Sequence, residues 1–260
     1  MKRWIFREAE GTPPGAWADK LSISPLLLEL LWKRGFAQLD DMEAFLSPLL
    51  CRLPRPASWP GLDEAAALLA DELLAGKKLA VWGDYDVDGV AATALVLDVL
   101  ACHAMTAEYH LPHRRVEGYG LNAEGIEALV AGGCAVLLTV DCGISDVSAV
   151  TRARELGMTV IISDHHLPSE RLPPAHAVCN PRLGESPCPT LAGVGVAFYL
   201  MAAVNAALAP HTGKRYKMDA ALDLVALGTI ADVMRLVGEN RILVRAGLDA
   251  LALAMRPGVA

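Results

Sequence analysis

Four short apolar runs, at 79–82, 107–111, 135–140 and 159–163, alternate with helix-like segments at 90–102, 123–131, 145–156 and 194–208. This alternation constrains the chain more than any other feature. Most of the runs are nearly continuous in apolar residues, so each strand they form is covered on both faces. Strands that each wait for a helix before the next one cannot pair as hairpins. They return by crossover and lie parallel. The predicted class is therefore α/β, an open, mostly parallel twisted sheet with helices on both faces. In such sheets, sites form outside the carboxyl ends of the strands.

Residues 1–76 read as a separate, helical lead-in. Ser24-Pro25 supplies an N-cap followed by Pro at the first helical position, and 26–32 runs on to Gly35. A second short helix is predicted over 40–46, before Pro48, and a third over 62–74, ended by Gly76. Pro54, Pro56 and Pro60 mark a break between them. The catalytic α/β domain is expected over 77–235, and 236–260 reads as the start of a connecting helix to a second domain. Long loops at 118–122 and 168–189 are candidates for function.

Composition narrows the classes. The chain has 260 residues, 53% hydrophobic and 20% charged, which excludes wholesale disorder. A net charge of −7 gives no global basic footprint for nucleic acid, although bound divalent ions reverse charge locally. The six cysteines form no C-x-x-C pair and read as thiols of a reducing, cytoplasmic compartment. Lys2-Arg3 precedes only Trp4-Ile5-Phe6 before charge resumes, too short for a signal peptide. Residues 191–209 carry no charge and approach membrane-spanning length, but Gly193, Gly195 and Asn205 make them a buried helix of a soluble protein.

The strand ends carry the chemistry. The first run leads into Gly83-Asp-Tyr-Asp-Val-Asp-Gly89, with Asp84, Asp86 and Asp88 at alternate positions. Charges so close repel by roughly 4 kcal/mol per pair at 4 Å and an effective dielectric near 20, so a fold that gathers them needs a cation. The spacing resembles half of a calcium loop, but position twelve from Asp84 is Leu95 where a bidentate Glu is required. A helix is expected to start near Gly89. The third run ends in Asp141, followed by Cys142-Gly143, and the fourth in Asp164-His165-His166. Asp232 is a lone charge in an apolar stretch. Each alone could be a cap or a surface residue. At one edge of one sheet they make a metal centre, with ligands enough for two ions of the Mn²⁺, Mg²⁺ or Zn²⁺ type. Walker A and G-x-S-x-G motifs are absent, and Gly193-Val-Gly195 lacks the third glycine of a dinucleotide fingerprint.

The segments 83–89, 140–143, 163–166 and 228–232 resemble motifs I to IV of the DHH phosphoesterase superfamily. Residues 112–122, 180–182 and 191–198, with Arg34-Gly35 and Phe45-Leu46, resemble its single-stranded-DNA exonuclease branch. The resemblance implies two Mn²⁺ or Mg²⁺ ions held by Asp86, Asp88, Asp141, His165 and Asp232, with Asp141 bridging. Asp84 stands near the place where related pyrophosphatases use a His. The same resemblance gives Asp164 the task of orienting the histidines, and turns His166 toward the scissile phosphate. Arg114, Arg182, Gly193 and Gly195 are the implied substrate contacts, with Arg115 and Lys214–Lys217 as further basic residues. The implied reaction is 5′-to-3′ hydrolysis of single-stranded DNA in repair and recombination, with a helicase or single-strand-binding protein as partner and no membrane. Family members continue into a second domain with a Gly-rich His motif, so this chain reads as the metal half of the site. A small-substrate phosphoesterase, acting on oligoribonucleotides, cyclic dinucleotides or pyrophosphate, is the alternative. A scaffold without activity is disfavoured by the intact ligand positions.

Overall fold

The computed structural model describes residues 10–54 and 59–258. The Lys2–Phe6 stretch and Pro56 lie outside the described residues. The chain divides into two compact units, one ending at Cys51 and one beginning at Arg52. The first unit holds α1 (Ala16–Leu21), α2 (Pro25–Lys33) and α3 (Leu39–Leu46), around Ala18, Leu28, Leu31 and Met42. Ser24 caps α2 as expected, its hydroxyl accepting from Leu27 N–H at 3.2 Å.

The second unit contains α4 (Leu62–Leu74), β1 (Leu79–Gly83), α5 (Val87–Cys102), β2 (Ala107–His110), α6 (Ala123–Ala131) and β3 (Val136–Val140). It continues with α7 (Val147–Glu155), β4 (Thr159–Ser163), β5 (Ala177–Cys179), α8 (Gly193–Thr212), α9 (Leu222–Ala231) and α10 (Gly238–Leu251). All strands are parallel, in the order β2-β1-β3-β4-β5. The α/β class is as the sequence predicts. Side chains alternate across the strands, and both faces of β1, β3 and β4 are buried, whereas edge strand β2 leaves Glu108 and Tyr109 exposed. Leu79, Val81, Val136, Leu138 and Ile161 point to α4, α5 and α8. Ala80, Trp82, Leu137, Val160 and Ile162 point to α6 and α7.

Three features differ from the sequence reading. Helix α4, assigned there to the lead-in, belongs to the second unit, where Leu62, Ala65, Leu69 and Leu73 complete one face of the sheet. Helix α5 begins at Val87 rather than near Gly89, because the Asp86 carboxylate accepts from the N–H groups of Asp88 (2.8 Å) and Gly89 (3.1 Å). A short fifth strand, β5, lies inside the loop expected over 168–189 and extends the sheet beside β4. Helix α8 is long and apolar enough to cross a membrane, but 67% of its apolar window is buried inside the fold.

Candidate metal centre

The register of the sheet builds the site. Gly83 pairs with Val140, and Val140 with Ser163, so Asp84, Asp141 and Asp164 each stand one residue beyond a shared edge. The backbone of Asp141 takes the left-handed conformation (φ +63), unusual for a residue with a Cβ. Its N–H is tied to Ser163 O at 3.0 Å. Strain of this kind, of order 1–3 kcal/mol, persists only where the surroundings impose it.

Asp88 lies in the first turn of α5 and is 1% exposed. Its carboxylate accepts from Gly193 N–H at 2.7 Å and Val194 N–H at 2.9 Å, the first amides of α8. The helix dipole and two donated hydrogen bonds thus fix it in place. His165 is 5% exposed. Its Nδ1–H donates to Leu191 O at 3.0 Å, which leaves a lone pair on Nε2. That nitrogen lies 3.1 Å from Asp141 Oδ1, 3.7 Å from Asp232 Oδ2 and 3.9 Å from Asp88 Oδ2. Neither His165 Nε2 nor Asp141 Oδ1 has a hydrogen-bond partner, although both are buried. A lone pair facing three carboxylates in a buried pocket is a donor set that fits a divalent cation. The carbonyl bond on Nδ1 is the arrangement that orients a metal-ligating imidazole.

Candidate ligand atoms fall within 4.8 Å of one another in three overlapping groups. These are Asp84, Asp86 and Asp141; Asp88, His165 and Asp232; and Asp141, His165 and His166. Asp141 occurs in two of them, which suits a residue shared between two ions. The charge balance agrees. Burial, with Asp88 and Asp86 nearby, raises the Asp141 carboxyl well above the ordinary range. Burial raises Asp88 to about 6 despite its α8 hydrogen bonds, and raises Asp84 and Asp232 as well. Four carboxylates that resist ionisation together are what a divalent cation would relieve.

Asp164 is different. Burial works against its charge, but hydrogen bonds from the His166 ring, His166 N–H and Ile144 N–H hold it below the usual carboxylate range. Its Oδ1 accepts from His165 N–H (2.7 Å), His166 N–H (3.0 Å) and His166 Nδ1–H (2.8 Å), and its Oδ2 from Ile144 N–H (2.9 Å). It therefore clamps both histidines and the turn after β3. The bond to Asp164 raises His166 to about 9, against burial.

The other sequence candidates are placed less uniformly. Arg114 sits 5.3 Å over the Tyr85 ring and is exposed. Arg182 donates through Nε to His165 O at 2.6 Å, and its terminal nitrogens have no partner among the described residues. Gly193 and Gly195, expected as substrate contacts, are instead buried in α8. A Cβ on Gly193 would lie 2.3 Å from Asp141 Oδ1, and one on Gly195 would meet Leu191 at 3.0 Å, so both serve close packing. Lys214–Lys217 follow the far end of the 20-residue α8, about 30 Å of helix from the site. Sequence reasoning missed Leu191 O, which sets the His165 tautomer. It also missed Tyr119, whose hydroxyl lies 3.2 Å from His166 Nδ1. The pair of glycines around Tyr119 was the available signal.

Comparison with known proteins points to one family. The single-stranded-DNA-specific exonuclease RecJ of Bacillus subtilis is 35% identical over 259 residues, covering 99% of this chain and 32% of that protein. RecJ of Thermus thermophilus is 41% identical, covering 91% of this chain and 34% of that protein. The chain thus spans about a third of the length of these relatives. The crystal structure of Thermus thermophilus RecJ in complex with Mn²⁺ superposes with a TM-score of 0.77 at 34% identity, over 95% of this chain and 35% of that one. The sequence model of the DHH family, N-terminal domain, matches residues 78–229, more than half of the sequence, and the chain belongs to that family.

Proposed function

We propose that this chain carries the metal-binding half of a single-stranded-DNA exonuclease that hydrolyses phosphodiester bonds from the 5′ end. The observation that carries it is the buried, unpartnered pair His165 Nε2 and Asp141 Oδ1, ringed by Asp88 and Asp232 at the sheet edge. Asp86, Asp88, Asp141, His165 and Asp232 would hold two Mn²⁺ or Mg²⁺ ions, with Asp84 beside them. Such ions, when bound, supply Lewis acidity to the phosphate and make water a nucleophile near neutral pH.

The chain's own residues divide the remaining work. Asp164 fixes the His166 ring and places its proton on Nδ1. The Asp164 carboxylate favours the charged imidazole, whose Nε2–H would donate to a phosphoryl oxygen or to the leaving oxygen. Arg114 and the terminal nitrogens of Arg182 would receive backbone phosphates, and the Tyr85 ring would stack on a base. The reading of DNA over a small substrate is supported by these flanking groups and by the activity for which the relatives are named. The setting proposed is the cytoplasm, consistent with six free thiols, and the proposed partners are a helicase or a single-strand-binding protein.

The test is Mn²⁺-dependent release of mononucleotides from 5′-labelled single-stranded DNA, run beside a dinucleotide. Stepwise release from the long strand supports the nuclease. Turnover of the dinucleotide alone would replace it with the small-substrate reading. Co-purification would find the partners.

A further inference from the structure

The loop from β2 to α6 is tethered on both sides of one short sequence, Glu117-Gly118-Tyr119-Gly120-Leu121. On one side the Glu117 carboxylate accepts from His110 Nε2–H at 2.7 Å, from His113 N–H at 2.7 Å and from the Asn122 amide at 3.4 Å. On the other, Leu121 N–H donates to Asp146 Oδ2 at 3.0 Å. Gly118 and Gly120 both take left-handed backbone (φ +81 and +85). A Cβ on Gly120 would lie 2.7 Å from the Asp146 carboxylate, so no L side chain fits there.

The side chain delivered by this turn is Tyr119. Its hydroxyl lies 3.2 Å from His166 Nδ1, and the two rings meet edge-on, 5.6 Å apart at 70°. Asp164 Oδ1, a carboxylate 2.8 Å from the same nitrogen, assigns the proton to Nδ1. The N–H is therefore shared between the carboxylate and the Tyr119 oxygen. A ring held by one bond still pivots about it. A second acceptor on the same nitrogen, with an edge-on ring beside it, removes that freedom.

We propose that Tyr119 is a positioning residue for the hydrolysis proposed above: its hydroxyl, delivered by a loop staked at Glu117 and Asp146, holds the His166 imidazole in the one orientation that presents Nε2 to the phosphoryl group. Tyr119 is separated from His166 by 47 positions and from the Asp triplet by a strand and a helix, so the contact exists only in the folded chain.

The experiment is a double-mutant cycle in the Mn²⁺-loaded protein on 5′-phosphorylated single-stranded DNA. Tyr119→Phe keeps the ring and removes one hydrogen bond. It lowers kcat by about five- to tenfold, the worth of one such bond, and leaves KM and Mn²⁺ affinity unchanged. His166→Ala lowers kcat by about 10²–10³, and adding Tyr119→Phe to it costs nothing further. A Tyr119→Phe protein as fast as the parent, or one whose loss persists in the His166→Ala background, overturns the assignment. If the parent itself leaves DNA uncut, the cycle has no rate to read, and the contact is judged separately from ¹⁵N-histidine spectra. There Tyr119→Phe shifts the His166 ring signals while those of His103 and His176 stay in place. An unmoved His166 overturns it.

Discussion

The crowded carboxylates make a quantitative prediction about the metal-free protein. Asp88 rises to about 6 from an ordinary 3.8, so the folded chain binds a proton that the unfolded chain releases. Where the folded state binds more protons, stability falls as pH rises. The cost accrues between pH 3.8 and 6 and amounts to about 3 kcal/mol at 1.36 kcal/mol per pKa unit. Asp141, Asp84 and Asp232 are raised too and push the same way. His166, raised to about 9, gives stability that is complete below 6.5 and lost as pH climbs through 9. It acts in the same direction but by less, since its side chain is 43% exposed. Asp164, held low, acts oppositely, but only below about pH 4. The metal-free protein is therefore expected to lose stability from pH 4.5 to 7. For a chain of 260 residues, with an unfolding entropy near 2.1 cal/mol/K per residue, 3 kcal/mol is about 5 °C of Tm. Mn²⁺ at 100 times its Kd should return about 2.7 kcal/mol at pH 7, a similar shift, and progressively less at pH 5 as protons compete. Scanning calorimetry of chelator-treated protein, with and without Mn²⁺, reads both curves. Asp141→Asn, which removes one crowded charge, should flatten the metal-free slope. A metal-free Tm that is level or rises between pH 4.5 and 6.5, with no Mn²⁺ shift at pH 7, would refute the charge argument.

Three further outcomes follow from the geometry. His165→Ala removes the nitrogen that faces three carboxylates and should weaken Mn²⁺ binding at least tenfold by calorimetric titration, whereas His166→Ala should leave it near the parent value; equal losses would make His166 a ligand as well. Gly193→Ala places a methyl 2.3 Å from Asp141 Oδ1 and should cost about 1–3 kcal/mol by urea titration and weaken Mn²⁺ binding, so an unchanged midpoint would mean that α8 can shift freely. Val233, beside Asp232, is 86% exposed in left-handed backbone (φ +57). Val233→Gly should therefore raise stability by about 1 kcal/mol, and a lower Tm would show that the conformation carries no strain.

Much of the fold was legible because its signals are local. Apolar runs such as 79–82, between Lys78 and Gly83, and 159–163, between Gly157-Met158 and Asp164, announce strands whatever surrounds them. An Asp within two residues of the end of each of three such runs marks one sheet edge, since parallel strands in register bring their ends together. Ser24-Pro25 announced a helix start for the same local reason. By contrast, β5 is three residues within a proline-rich loop, and it is a strand only because β4 offers it an open edge. Helix α4 looked like part of the lead-in because its apolar face says that it packs, not against what.

The centre divides along the same line. Residue types that can meet a cation, Asp84, Asp86, Asp88, Asp141, Asp164, His165, His166 and Asp232, and the strand ends at which most of them stand, are readable along the chain. What each side chain does there follows from contacts made in the folded protein. Asp88 is gripped by amides 105 and 106 positions away. His165 takes its tautomer from a carbonyl 26 positions on. Gly193 and Gly195 stand where α8 packs too closely for a side chain. Hydrogen-bond direction and desolvation depend on atoms brought together by chain crossings, and no periodicity along the chain encodes those partners.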